Sequence, residues 1–218
     1  MTKNRKLFIG IAGVLLVAAV IFIGTLIYDE LKPPSTDTAV FQSSIFSFAY
    51  PRTYALKESS TGAANIGSQP EEGEFMPMVQ VVRYTNDPDS PRPPSYDVYL
   101  QRQVVALCGS DSAETIVCKA GTWEPYTSPT GLEGQRSTLT MTRTNLTSGT
   151  TTESTYGPIT AFDVTQEPTI EDPLRYQAVF VYPALESVIT GTTSTELLDE
   201  ILGTLTLGRP IVTTTPAL

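Results

Sequence analysis

The chain has 218 residues, with 14 lysines and arginines against 23 aspartates and glutamates and a formal net charge of −9. Histidine is absent, which excludes Ser-His-Asp and Cys-His catalysis and every histidine-ligated metal site, because no other side chain supplies a neutral base near pH 7 without a large pKa shift. The acidic balance also argues against nucleic acid or anionic lipid as a ligand.

The first element is an uncharged apolar run from Leu7 to Tyr28. As an α-helix, these 22 residues reach about 33 Å, enough for a hydrocarbon core of about 30 Å. Three cations precede the run and two acids follow it. The pattern predicts a signal anchor that crosses the cell membrane once, with residues 1–6 in the cytoplasm and the C-terminal domain extracytoplasmic. A cleaved signal peptide is the alternative, but the run is long for one and no good Ala-x-Ala site follows it.

The part of the chain beyond the apolar run carries 11 cations and 23 acids, a net charge of −12. We interpret this as an acidic surface that keeps an exported domain soluble. Residues 29–43 predict a polar stalk, because Pro33-Pro34 ends any helix that enters it and the serines and threonines give little to bury. We expect a folded domain at 44–208 and a loose tail at 209–218.

Strands are predicted where apolar residues alternate or form short runs. The sequence IFSFAY at 45–50 alternates aromatic residues and indicates a half-buried strand, whereas residues 59–73 have loop composition. The run RYQAVFVY at 175–182 is apolar on both faces, which indicates a central strand. Further strands are predicted at 54–56, 78–84, 122–126, 135–144, 158–165 and 204–207.

Two helices are expected within this domain. Ser95 is a suitable N-cap for SYDVYLQRQVVALC, whose apolar residues recur at helical spacing. Thr193-x-x-Glu196 has the capping-box pattern and precedes the apolar residues of TELLDEIL.

The two cysteines, Cys108 and Cys118, are close in sequence. In an exported domain such a pair indicates a disulfide. Free thiols and a redox pair are the alternatives, although redox pairs are more often Cys-x-x-Cys and a zinc site needs more than two thiolates.

The opening FSFAYPRTYAL resembles the F-x-F-x-Y-P-x-x-W signature of the PsbP/Mog1/DcrB-like superfamily, and the closing ELLDEILGTLTL resembles its last helix and strand. Tyr54 stands where that family has tryptophan, and the cysteine-bracketed loop is additional. The resemblance covers residues 44–207 and implies an α+β fold, an antiparallel β-sheet with helices packed on its faces. Members of the family are mostly binding, assembly or accessory proteins, so the resemblance implies no particular activity.

No nucleophile motif, metal-ligand pattern or cofactor motif is present, and we assign no catalytic residue, metal ligand or cofactor. The sequence therefore favours a membrane-anchored binding domain that is not an enzyme and that contacts an envelope protein or another envelope component. The candidate contact residues are Trp123, Tyr126 and Tyr96, because tryptophan and tyrosine are enriched at binding hot spots. For each of them the alternative is packing in the core.

Two other functions have partial support in the sequence. A hydrolase acting on envelope glycans needs two carboxyl groups, one of them desolvated, and the candidate acids lie in polar stretches: Glu71, Glu72, Glu74, Glu171 and Asp172. A calcium site is the second, since residues 87–90 and 171–172 offer oxygen ligands. The EF-hand spacing is missing, however, and the prolines at 88 and 91 are typical of a turn.

Overall fold

The computed structural model describes residues 37–60, 62–69, 73–86, 91–108, 113–166, 175–185 and 195–208. Strands make up 55% of this part and helices 16%. The predicted α+β class, an antiparallel sheet with helices on its faces, is therefore wrong: the fold is largely β. Its antiparallel strands form two sheets.

The elements, in chain order, are β1 Thr38–Gln42, β2 Phe46–Pro51, β3 Ala55–Ser60, β4 Ala63–Ser68, β5 Met76–Thr85, α1 Tyr96–Ala106, β6 Glu114–Ala120, β7 Glu124–Thr127, β8 Glu133–Asn145, β9 Thr151–Asp163, β10 Gln177–Pro183, α2 Thr195–Thr204 and β11 Thr206–Leu207.

Both sheets are antiparallel. The smaller one has the order β1-β2-β11. The larger one has eight strands in the order β3-β4-β5-β10-β9-β8-β6, with β7 pairing with β8 beyond the end of β6. Strand β10 is central and every one of its residues is buried, which confirms the prediction from its apolar residues on both faces.

Side chains of β10 alternate between two clusters of buried residues. Val179 and Val181 belong to the first cluster, to which β2 contributes phenylalanines and α2 contributes leucines and an isoleucine. Ala178 and Phe180 belong to the second cluster, which contains the buried residues of α1. The two sides of the sheet are thus closed by separate sets of apolar side chains.

Helix α1 begins where the sequence predicts it. The Ser95 Oγ accepts a hydrogen bond from the backbone N–H of Val98 at 3.3 Å, which satisfies one of the free donors of the first turn. Helix α2 also appears at its predicted place and continues through Gly203 to Thr204. The residues of its predicted capping box that precede 195 lie outside the described part.

Three strands appear where the sequence did not predict them. Strand β4 lies in the stretch 59–73, β6 begins in the cysteine-bracketed segment and ends at Ala120, and β1 lies within residues 29–43, which were assigned to the polar stalk. Strand β4 pairs with a neighbour on each side, and β1 and β6 each pair with one neighbour; such pairing with other parts of the chain overrides weak local preference. These additional strands move the fold from α+β to largely β.

Within the described ranges no helix is long and apolar enough to cross a membrane. Residues 7–28, to which the sequence analysis assigned that role, lie outside those ranges, as do residues 1–6 and 209–218.

Candidate functional site

A cleft of about 860 Å³ opens between α1 and the chain run that joins β6 to β7. The last two residues of β6 and the connecting residues 121–123 line it, together with three residues of β8, and Asp97 and Gln101 of α1 line it as well. The full lining is Asp97, Gln101, Lys119, Ala120, Gly121, Thr122, Trp123, Pro125, Gly134, Gln135 and Thr140.

The sequence of the run explains its path. Strand β6 pairs with the C-terminal half of β8, and β7 pairs with the N-terminal half. The register changes between the two, across Gly121, Thr122 and Trp123, as in a β-bulge. Gly134 opposes β7 and admits no side chain, because a Cβ there would lie 2.6 Å from the Ala161 carbonyl oxygen.

Cys108 and Cys118 lie at disulfide distance, with their Cα atoms 6.5 Å apart, which confirms the predicted pair. Cys108 follows α1 and Cys118 belongs to β6. The bond therefore joins the two elements between which the cleft opens.

Trp123 is a half-buried residue of the cleft. Its ring meets Phe180 edge to face, with centroids 6.4 Å apart, and it packs against the second cluster. Its indole Nε1 is buried and makes no hydrogen bond to any described residue. Trp123 is thus partly a core residue and partly a cleft residue, and its contact role remains a prediction.

Tyr96 lies on α1 and does not line the cleft. Its ring contacts those of Tyr99 and Tyr176, with centroids 5.7 and 5.8 Å away. Burial raises the pKa of Tyr96, and the negative charge of Asp163 raises it further. Its hydroxyl finds no partner among the residues that the structure describes.

Tyr126 is separated from the other two candidates. It packs against the first cluster, whereas Trp123 and Tyr96 pack against the second. Its ring meets Phe162 at 6.3 Å, and the Arg136 guanidinium carbon lies 3.8 Å from the ring centroid, a cation–π contact. The structure therefore places two of the three candidates in one cluster and the third in the other.

Buried tyrosines surround Tyr84 on the side of the second cluster. The Tyr99 hydroxyl donates to the Tyr84 carbonyl at 2.7 Å, and the Tyr84 and Tyr182 hydroxyls are 3.0 Å apart. Tyr156 donates its hydroxyl hydrogen to the Pro183 carbonyl. Burial raises the pKa values of Tyr99, Tyr156 and Tyr182, so these hydroxyls keep their protons above the pH at which an exposed tyrosine ionises.

The acids considered for glycan hydrolysis or calcium lie mostly outside the described residues; Glu74 is described and is exposed. The described ranges contain no group of three or more cysteines and carboxylates placed to hold a metal ion.

Neither a protein-family model nor a curated protein matches this chain. The resemblance to the PsbP/Mog1/DcrB-like superfamily therefore stays a prediction.

Of the residues that line the cleft, Trp123 alone was among the contact residues predicted from the sequence. Asp97 and Gln101 are four residues apart on the polar side of a predicted helix, which places them on one face. That spacing was available from the sequence. The partner wall was not, because β6 was interpreted as a loop.

Proposed function

We propose that this protein is a noncatalytic binding domain that the apolar segment 7–28 holds at the cell membrane, with residues 1–6 in the cytoplasm and the folded domain extracytoplasmic. The positive flank of that segment, the acidic charge beyond it and the cysteine pair support this location. Its partner is a protein or another component of the cell envelope.

The observation that carries the proposal is Trp123 in its cleft. A half-buried indole with an unpaired N–H among the described residues lies beside exposed polar side chains of Asp97, Gln101 and Thr122. Such a site combines apolar contact area with hydrogen-bonding groups, as ligand sites do. A tryptophan that is anchored on one side by Phe180 loses little freedom when it binds.

Site-directed photocrosslinking of the full chain in its native membrane tests the proposal. A photoreactive residue replaces Thr122, which is exposed in the cleft, and a matched control carries it at Thr195, which is exposed on α2. We expect a discrete adduct at 122, none at 195, and loss of the adduct in Trp123→Ala and Gln135→Ala variants that keep the wild-type melting temperature. Equal adducts at both positions, or no adduct at 122, would refute the cleft as the site.

The location has its own test. A reporter enzyme that is active only outside the cytoplasm, fused after Leu218, should be active in the wild-type chain. Activity should fall when the three N-terminal cations are replaced by acids, because the cation asymmetry sets orientation. An inactive wild-type fusion would contradict the predicted topology.

A further inference from the structure

We propose that Asn145 is the acceptor of an N-linked glycan, at the tip of the hairpin that joins β8 to β9. This inference rests on the extracytoplasmic location proposed above and adds a modification site apart from the cleft. The group that is attached is an oligosaccharide, which a transferase of the same membrane takes from a lipid carrier.

The first step is the sequence motif. The chain has four asparagines, and only Asn145 is followed by the N-x-S/T pattern, as Asn145-Leu146-Thr147. The middle residue is leucine, whereas the acceptor pattern excludes proline there. Because so short a pattern also arises by chance, its place in the fold decides whether the asparagine is accessible to a transferase.

The second step is exposure. Strand β8 ends at Asn145, which is half-buried, and all five residues between it and Thr151 at the start of β9 are exposed. Leu146 is 64% exposed. Along β8, Asn145 lies five residues beyond Thr140, which lines the cleft, and in an extended chain this is about 17 Å. The attachment point is therefore outside both the core and the cleft.

The third step is the orientation of the Asn145 carboxamide. Its Oδ1 accepts hydrogen bonds from the backbone N–H groups of Thr147 and Ser148 at 3.0 and 2.9 Å, which is an Asx turn. Since a backbone N–H only donates, the atom that faces these two groups is the oxygen and not the nitrogen. Every hydrogen bond that described residues make to this side chain ends on Oδ1. They leave Nδ2, the atom that would carry the sugar, free.

The fourth step is the hydroxyl of Thr147. Its residue is exposed, and its Oγ1 makes no hydrogen bond to any residue of the described ranges, whereas its backbone N–H takes part in the turn. An Asx turn needs a side-chain acceptor and the backbone donors that follow it, and it does not need a hydroxyl two residues later. Recognition as a glycan acceptor does need one. The turn therefore accounts for Asn145 but not for Thr147, and the proposed modification accounts for both.

The transfer balances without an oxidant or a reductant. In the lipid-linked donor, C1 of the first sugar is bonded to a phosphate oxygen of the carrier. A bond forms between Asn145 Nδ2 and this C1, while the C1–O bond breaks and its electron pair leaves with the phosphate. One Nδ2 proton passes to a base of the transferase, and the other stays on the amide. The hydrogen bonds accepted by Oδ1 are compatible with the modified side chain, because Oδ1 takes no part in the transfer.

Mass spectrometry of the full chain, purified from its native membrane, tests the proposal. Trypsin cleavage gives a peptide 144–175 in which Asn145 is the only asparagine. We expect this peptide to carry the mass of several sugars, which fragmentation places on Asn145. The tryptic peptide 58–83 is an internal control, because its asparagine, Asn65, lacks the motif and should be unmodified. A bare 144–175 peptide, or sugars on its serines and threonines alone, would overturn the proposal.

Variants separate the motif from the turn. Thr147→Val has nearly the shape of threonine without the hydroxyl and should abolish the modification, whereas Thr147→Ser keeps the hydroxyl and should retain it. Asn145→Asp keeps the acceptor oxygen of the turn but lacks the nitrogen, so it should fold normally and be unmodified. Sugars that persist on the peptide in Thr147→Val or in Asn145→Asp would overturn the assignment to this motif.

Failure of this inference and failure of the proposed function give different results. If the reporter fused after Leu218 is active and the 144–175 peptide is bare, the location stands and the glycan is wrong. If the reporter is inactive and the peptide is bare, both are wrong. Sugars on Asn145 without an adduct at Thr122 would support this inference and refute the cleft as the contact site.

Discussion

Raising the pH through the ordinary tyrosine range should unfold this protein. Four tyrosines have pKa values raised by burial: Tyr96, Tyr99, Tyr156 and Tyr182. In the unfolded chain each loses its proton near pH 10, whereas in the folded domain each keeps it. The unfolded state therefore binds fewer protons above pH 10, and the free energy of unfolding falls as pH rises. Below pH 10 both states are protonated, and the stability is unaffected by these groups.

The magnitude follows from the number of buried hydroxyls. One pH unit above the unfolded pKa, each such tyrosine removes about 1.4 kcal/mol from the free energy of unfolding. Four together remove about 6 kcal/mol by pH 11, of which about 4 kcal/mol is lost between pH 10 and 11, and this is comparable with the whole stability of about 5–15 kcal/mol of a typical domain. We therefore expect cooperative unfolding between about pH 11 and 12.

Urea denaturation followed by circular dichroism at pH 8, 10 and 11 measures this dependence. Tyr96→Phe is the informative variant, because its hydroxyl has no partner among the described residues and its removal should cost little at pH 8. Between pH 10 and 11 the variant should lose about a quarter less free energy than wild type. Equal free energies at pH 10 and 11 would refute the reasoning, as would a Tyr96→Phe slope identical to that of wild type.

Three further predictions concern the framework around the cleft, each measured by chemical denaturation. Ser95→Ala should cost about 1 kcal/mol by removing the N-cap of α1, and a Thr replacement should recover most of it. Gly134→Ala should lower the free energy of unfolding by about 2 kcal/mol or more, because the added Cβ would meet a backbone carbonyl of β9. Gly203→Ala lies in α2 with open space around it, and it should leave the free energy of unfolding unchanged or raise it by up to about 1 kcal/mol. Replacing Cys108 and Cys118 by serine should cost roughly 3 kcal/mol by the loop-entropy estimate, and no loss would show that the bond constrains little.

The elements predicted correctly are those whose signal is local. Strand β10 is predicted by the uninterrupted apolar run from Ala178 to Tyr182, and α1 is predicted by Ser95 followed by apolar residues at helical spacing. Strands β4 and β6 have no such signal. Their sequences AANIGS and ETIVCKA contain glycine, serine or charged residues, and their pairing partners lie elsewhere in the chain. Long-range pairing decides such strands, and composition does not report it.

The candidate contact residues also differ in how well the sequence predicted their position. Trp123 was singled out because tryptophan is distinctive, and the structure places it in a cleft. Tyr126 was chosen for the same reason and lies against the other cluster with Arg136. The two residues are three apart in sequence, and successive side chains of a strand point to opposite faces. The alternation of the predicted strand at 122–126 is therefore enough to separate them, and it is consistent with their packing against opposite clusters.

Buried apolar side chains fill both faces of the large sheet around β10. Both sides of β10 are occupied by buried apolar clusters, so the interior of the sheet offers no room for a ligand. Unused main-chain donors and acceptors then remain only at the edges of the described sheet, at β3 and β6. Strand β3 carries the exposed charges of Lys57 and Glu58, which discourage pairing with another chain. Strand β6 is the other edge: it carries the exposed Lys119 and is joined to the end of α1 through Cys108 and Cys118.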